Sequence, residues 1–152
     1  MKNDLDLILL TMTENDVPAV ALLEKECFSS PWSEASLFES LNNEGSIFLC
    51  AKIKEKIVGY IGVSVVLDEA YVSDVAVSKD ERRRGIGEKL LEECEKICRE
   101  KGCSFLSLEV RKSNKAAISL YEKCGFVALG ERKNFYSDPR ENALIMTKYF
   151  KE

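Results

Sequence analysis

No histidine occurs anywhere in this chain, which removes every histidine-based triad and the commonest metal ligand. Proton transfer falls instead to Glu, Asp, Tyr, Lys or Cys. The six cysteines, Cys27, Cys50, Cys94, Cys98, Cys103 and Cys124, include no Cys-x-x-Cys pair, so neither disulfides nor a zinc site is expected, and no metal is predicted. Cys94 and Cys98 fall on the apolar stripe of a helix-period segment and read as small core residues. Only three prolines interrupt the 152 residues, and no linker or repeat divides them, so a single domain over 1–152 is expected. No apolar run is long enough to span a bilayer. The stretch Met1-Lys2-Asn3-Asp4-Leu5-Asp6 has no apolar region with a cleavage site, and the expectation is a cytoplasmic protein without a membrane partner.

Positive charge is also in short supply. With 22 Lys and Arg against 26 Asp and Glu, the formal net charge is −4, which argues against a general nucleic-acid-binding face. Lys79 to Lys89 reverses this locally, with five basic residues against three acidic ones. Such a small positive island suits a polyphosphate of limited size, whereas a duplex wants a broader patch.

That island sits where an apolar, β-branched stretch, Tyr71 to Val77, gives way to a helix-period segment carrying Ile86, Leu90, Leu91, Cys94, Ile97 and Cys98. A strand-loop-helix of this kind presents free backbone N–H groups and the positive end of a helix dipole to an anion. Gly85 and Gly87 let backbone approach the ligand, and Arg82, Arg83 and Arg84 add charge. A dinucleotide fingerprint needs a third glycine where Leu90 stands, and a P-loop needs Gly-Lys-Ser/Thr where Gly87-Glu88-Lys89 stands. The Arg82-x-x-Gly85-x-Gly87 loop after Val75-Ala76-Val77 resembles instead the acetyl-coenzyme A loop of the GCN5-related N-acetyltransferase (GNAT) superfamily.

The rest of the chain reads as alternating elements. A strand over 5–12 leads into a helix opened by the capping-box-like Thr13-Glu14-Asn15-Asp16 and carrying Val17, Val20, Ala21, Leu22 and Leu23 toward Cys27. Pro31-Trp32-Ser33 breaks it before a short helix over 33–41. Strands over 46–53 and 56–67 flank a tight turn at Lys54-Glu55, and a third strand covers 70–78. A helix over 85–101, a strand over 104–110, a helix over 114–124 and strands over 126–136 and 142–149 complete the order. This implies a mixed α/β sheet flanked by about four helices, with 70–78, 85–101 and 104–110 forming a right-handed parallel crossover whose carboxyl ends face a ligand.

Glu109 stands near the carboxyl end of the strand expected beside 70–78, and Asn114 and Tyr121 are seven apart on the following helix. One reading gathers a carboxylate, an amide and a phenol at the arginine loop. The other is a salt bridge from Glu109 to Arg111, an N-cap at Asn114 and a core tyrosine. Glu69 and Asp74 are rival bases on the neighbouring strand. Trp32 and Tyr136 are candidates to line a groove for an extended N-terminus.

Pro31-Trp32-Ser33-Glu34, Val66-Leu67-Asp68-Glu69-Ala70, Leu108-Glu109-Val110-Arg111-x-x-Asn114, Leu120-Tyr121-x-x-x-Gly125-Phe126, Arg132-x-Asn134-x-Tyr136 and Ala143-Leu144-Ile145-Met146 together resemble the RimI-type ribosomal-protein-alanine N-acetyltransferases. That resemblance implies the GNAT acyl-CoA N-acyltransferase fold and acetyl-CoA as co-substrate. It also implies a protein substrate, the N-terminal alanine of the eighteenth protein of the small ribosomal subunit. Carried onto this chain, it makes Glu109 the general base and Tyr121 the general acid. Val75, Ala76 and Val77 pair with the pantetheine arm, Arg83, Arg84, Gly85, Ile86, Gly87 and Glu88 wrap the pyrophosphate, and Asn114 touches the arm. The competing readings are an acetyltransferase of a small amine, a protein N-terminal acetyltransferase of broader range, and a non-enzymatic acyl-CoA-binding module. Oligomeric state is not legible.

Overall fold

The computed structural model describes residues 6–82 and 84–150. Among them, seven strands form one sheet in the order β1-β2-β3-β4-β5-β7-β6. Strands β1 (Leu7–Thr11), β2 (Ser46–Ile53), β3 (Lys56–Val66) and β4 (Glu69–Val77) run as an antiparallel meander. The turn between β2 and β3 is Lys54-Glu55, both at positive φ, as a two-residue hairpin requires. Strand β5 (Phe105–Arg111) joins β4 in parallel after helix α3 (Ile86–Glu100), giving the expected crossover. Helix α4 (Lys115–Lys123) follows, and then β6 (Val127–Ser137) and β7 (Arg140–Tyr149). Strand β7 inserts between β5 and β6, antiparallel to both, and leaves β6 at the edge. The β6–β7 register shifts twice, between Ala128 and Gly130 and between Arg132 and Tyr136.

Period-two burial on the central strands makes two cores. Leu49, Ala51, Ile61 and Val63 face α3, whose Ile86, Leu90, Leu91, Cys94 and Cys98 lie on one stripe. Phe48, Cys50, Tyr60 and Ala76 face the other way, onto helix α1 (Val17–Cys27) and Leu37 of helix α2 (Glu34–Leu41). Each Val, Leu, Ile or Phe among them, fully buried, contributes roughly 1.5–3 kcal/mol over its exposed state. Cys94 and Cys98 are core residues, and all six cysteines are free thiols. No helix among the described residues is long and apolar enough to cross a membrane.

Helix α1 departs from its expected stripe. It is entered through a 3-10 turn at Glu14–Asp16, where Asp16 Oδ2 accepts the Thr13 N–H at 2.8 Å. Val17, Val20, Ala21 and Leu23 are buried as the periodicity predicts, but Leu22 is 67% exposed and Glu24 is 0% exposed. The sheet opposite Glu24 carries the hydroxyl of Tyr60, so a carboxylate rather than a leucine fits there.

Candidate active site

Strands β4 and β5 share ladder pairs only from Glu69 opposite Phe105 to Tyr71 opposite Ser107. Both continue toward their carboxyl ends, to Val77 and Arg111, without further pairing to each other. Just beyond the last pair, β4 also slips against β3, with Val63 opposite Val72 but Gly62 opposite Asp74. An extra residue on one strand bends it and increases its twist. The result is a wedge between the two strands, with backbone groups of β4 left for a ligand.

The cofactor side of the wedge is built from β4, the loop after it and the start of α3. Ala76 is buried into the α1 core, while Val75 and Val77 pack on the opposite side against α3. The Val77 carbonyl accepts from Arg82 Nε at 3.1 Å and from Cys27 Sγ at 3.4 Å, so Arg82 is turned back onto its own loop. The loop is also held from α1, where Glu26 Oε2 accepts the Lys79 N–H at 2.6 Å. Gly85 caps α3 at φ +77°, a conformation that favours glycine. A Cβ on Gly87 would stand 3.3 Å from Leu120, which brings α4 close to this turn. Glu88 pairs with Lys123 at 3.1 Å, and Arg84 with Glu81 at 3.5 Å. Arg83 lies outside the described residues. The exposed amide end of a 15-residue helix, opened by an αL glycine and set at the mouth of an unpaired strand edge, fits a pyrophosphate and its extended arm.

Glu109 lies on β5 past its last pair with β4, with its carboxylate partly exposed. Its ion-pair partner is Arg132 of β6, not Arg111 as the simplest local pairing would have it. Arg111 instead pairs with Glu141 at 3.3 Å and donates to the Pro139 and Asp138 carbonyls at 2.8 and 3.0 Å. Its guanidinium lies 4.4 Å from the centroid of the Tyr136 ring. Tyr121 is buried, 6% exposed, with its ring against Phe126. Burial pushes its phenol up, helped by the charge of Asp74 and by Tyr136. Burial likewise pushes Tyr136 up to about 12, with the Glu109 charge next in weight. Both phenols thus feel the charge of Asp74, and Tyr136 that of Glu109 as well. Asn114 is the N-cap of α4, its Oδ1 accepting the Ala117 N–H at 3.2 Å.

Of the rival carboxylates, Glu69 lies opposite Phe105 at the closed end of the wedge, bonded to the Tyr71 hydroxyl. Asp74 lies on β4 just past the slip and is half-buried. Its carboxyl is held well above the usual carboxylate range, by burial first and then by a hydrogen bond shared with Glu24. Glu24 carries no signal in the sequence beyond one acid on an apolar helix face, and Tyr60 reads simply as core.

Trp32 is half-buried against the α1 core, and its N–H donates to Glu24 Oε1 at 2.9 Å. Tyr136 is half-buried under Arg111. The two segments meet, since Ser29 Oγ donates to the Asp138 carbonyl at 2.5 Å and joins the α1–α2 loop to the β6–β7 turn. Among the described residues no group of three acidic or cysteine side chains is arranged to hold a metal.

Residues 17–126 match the Acetyltransferase (GNAT) family. The chain is 37% identical over 140 residues to the [ribosomal protein bS18]-alanine N-acetyltransferase of Escherichia coli, covering 90% of this chain and 93% of that one. It is 39% identical over 132 residues to the Haemophilus influenzae protein of the same name, with 84% and 88% covered. The crystal structure of the ribosomal-protein-S18-alanine N-acetyltransferase from Escherichia coli superposes with a TM-score of 0.89 at 34% identity, over 96% of this chain and 95% of that one. The mixed sheet, the wedge at the strand ends and these likenesses agree: the chain belongs to the GNAT family of acetyl-CoA-dependent N-acetyltransferases, in its RimI-type branch.

Proposed function

We propose that this enzyme transfers acetyl from acetyl-CoA to the α-amine of the N-terminal alanine of ribosomal protein bS18, the substrate in the names of its Escherichia coli and Haemophilus influenzae relatives. The observation that carries the reading is the parting of β4 from β5 beyond Tyr71 and Ser107, with Glu109 on the β5 side, Tyr121 buried on the following helix, and the Trp32 and Tyr136 segments joined through Ser29 and Asp138. Acetyl-CoA supplies the activated acyl group. Backbone of Val75, Ala76 and Val77 lies along its arm, while the amides of Gly85, Ile86, Gly87 and Glu88, with Arg83 and Arg84, hold its pyrophosphate; Asn114 contacts the arm from α4.

An α-amine titrates near 7.7–8.0, so part of it is neutral at pH 7. Glu109, directly or through a water, takes the remaining proton as the amine attacks. Backbone N–H groups of β4 polarise the carbonyl. Tyr121, kept protonated by its burial, donates its hydrogen bond to the sulfur as it leaves. An ordinary thiol, near 8.5, is a stronger acid than this phenol, so Tyr121 steadies the leaving sulfur and relays a proton that the attacking nitrogen supplies. Holding amine and thioester together accounts for most of the rate gain.

The test is steady-state acetyl transfer to a synthetic peptide with the bS18 alanine N-terminus, beside the same peptide with that terminus blocked and beside spermidine. Transfer to the free terminus alone is expected. A preference for spermidine would make this a small-amine enzyme, and binding without transfer a regulatory acyl-CoA module.

A further inference from the structure

Glu24 is fully buried on α1, where an apolar residue of similar volume would pack at lower free-energy cost. Its contacts point to another reason for a carboxylate. Oε1 accepts the Trp32 N–H at 2.9 Å, and Oε2 accepts the Tyr60 hydroxyl at 2.5 Å. Its third neighbour is Asp74, placed just after the slip in β4, whose own Oδ1 accepts the Val75 N–H at 3.0 Å. Tyr60 stands opposite Ala76 in the β3–β4 register. One side chain thus ties the Trp32 segment on the acceptor side to Tyr60 of β3, which pairs with the strand that offers its edge to the thioester.

We propose that Glu24 is a positioning residue for acyl transfer, a buried strut that sets the spacing between the Pro31–Trp32 segment and β4 and so the approach of the amine to the thioester. This rests on the acetyl-transfer reading above. The strut is sensitive to protons, because neighbouring carboxyls do not both ionise without cost. The titratable groups facing Asp74 are Glu24 from α1, Tyr60 from β3, Tyr121 from α4 and Tyr136 from β6. None of the four is a cation. While Asp74 keeps its proton it donates to Glu24; as pH rises and that proton leaves, like charges oppose each other and the spacing loosens.

Peptide KM, kcat and acetyl-CoA affinity by calorimetry, measured from about pH 6 to about pH 9 for wild type, Glu24→Ala, Glu24→Gln and Asp74→Asn, test this directly. Glu24→Ala is expected to raise peptide KM about tenfold or more while acetyl-CoA affinity stays within about twofold. Glu24→Gln, which keeps an acceptor for the Trp32 N–H, recovers most of the loss. The kcat/KM of Asp74→Asn relative to wild type climbs with pH, because an amide cannot ionise. A parallel loss of peptide and acetyl-CoA binding, no change in either, or a flat Asp74→Asn ratio overturns the proposal. If Glu24→Ala does not fold, Glu24→Gln and Asp74→Asn decide. A wild type that ignores the peptide overturns the substrate reading instead, and the variants are then compared on the amine it does acetylate.

Discussion

Two carboxylates stand on the two strands that part, Asp74 on β4 and Glu109 on β5, and their surroundings differ. Asp74 on β4 is backed by Glu24 and Tyr60 in an apolar core, and its proton is held tightly. Glu109 on β5 is partly open to water and pairs with Arg132, itself 59% exposed at the side chain. A carboxylate that meets solvent can pass its proton on after each turnover. One set against Glu24 of α1 and Tyr60 of β3 cannot change charge without disturbing both. On the proposed mechanism the same functional group thus serves proton exchange on one strand and a proton-dependent spacing on the other.

The sharpest way to break this contrast is Glu109→Gln, expected to lower kcat about a hundredfold or more while acetyl-CoA affinity by calorimetry holds. Wild-type turnover of that variant at about pH 7 to 9 would hand the base role to Asp74. Tyr121→Phe comes next, with kcat down about tenfold to a hundredfold and little change in the melting curve, since only a hydroxyl is lost from a packed ring. A third effect is read as stability. Because Asp74 binds its proton more tightly folded than unfolded, the folded state gains below the ordinary carboxylate pKa and loses that gain as pH rises through the elevated one. Asp74→Asn has no such term, so its melting temperature relative to wild type should rise from acidic to mildly alkaline buffer; a constant difference would mean that folding leaves the Asp74 proton no more tightly held. Smallest is Arg132→Met, where removal of an exposed ion pair should move the melting temperature by less than about 2 °C.

Most of the scaffold was legible in the residues. The 46–53 strand is reproduced to the residue, and the crossover of 70–78, 85–101 and 104–110 appears with its ends moved by one. Strong periodicity made those elements readable, because each buries one regular face. The insertion of β7 between β5 and β6 was not readable, since pairing order depends on long-range contacts that leave no local pattern. Nor was the true partner of Glu109: Arg111 is two residues away in sequence, but its guanidinium is taken by the β6–β7 turn, and a strand 23 residues later supplies Arg132. Glu24 is the clearest omission. A lone acid among Val20, Ala21 and Leu23 looks like a solvent-facing interruption, and only the opposing Tyr60 and Asp74 show why it turns inward.

The uneven outer strand β6 bears on how this molecule lives among others like it. Its eleven residues line the margin of the sheet, almost all of them exposed, with Val127, Leu129 and Phe135 among them, the makings of a template for another chain's backbone. Two breaks in register and the run Glu131-Arg132-Lys133 interrupt that template, so a neighbouring strand finds no long flat row of amides to zip onto. The irregular β6–β7 hairpin thereby also acts as a guard against edge-to-edge pairing.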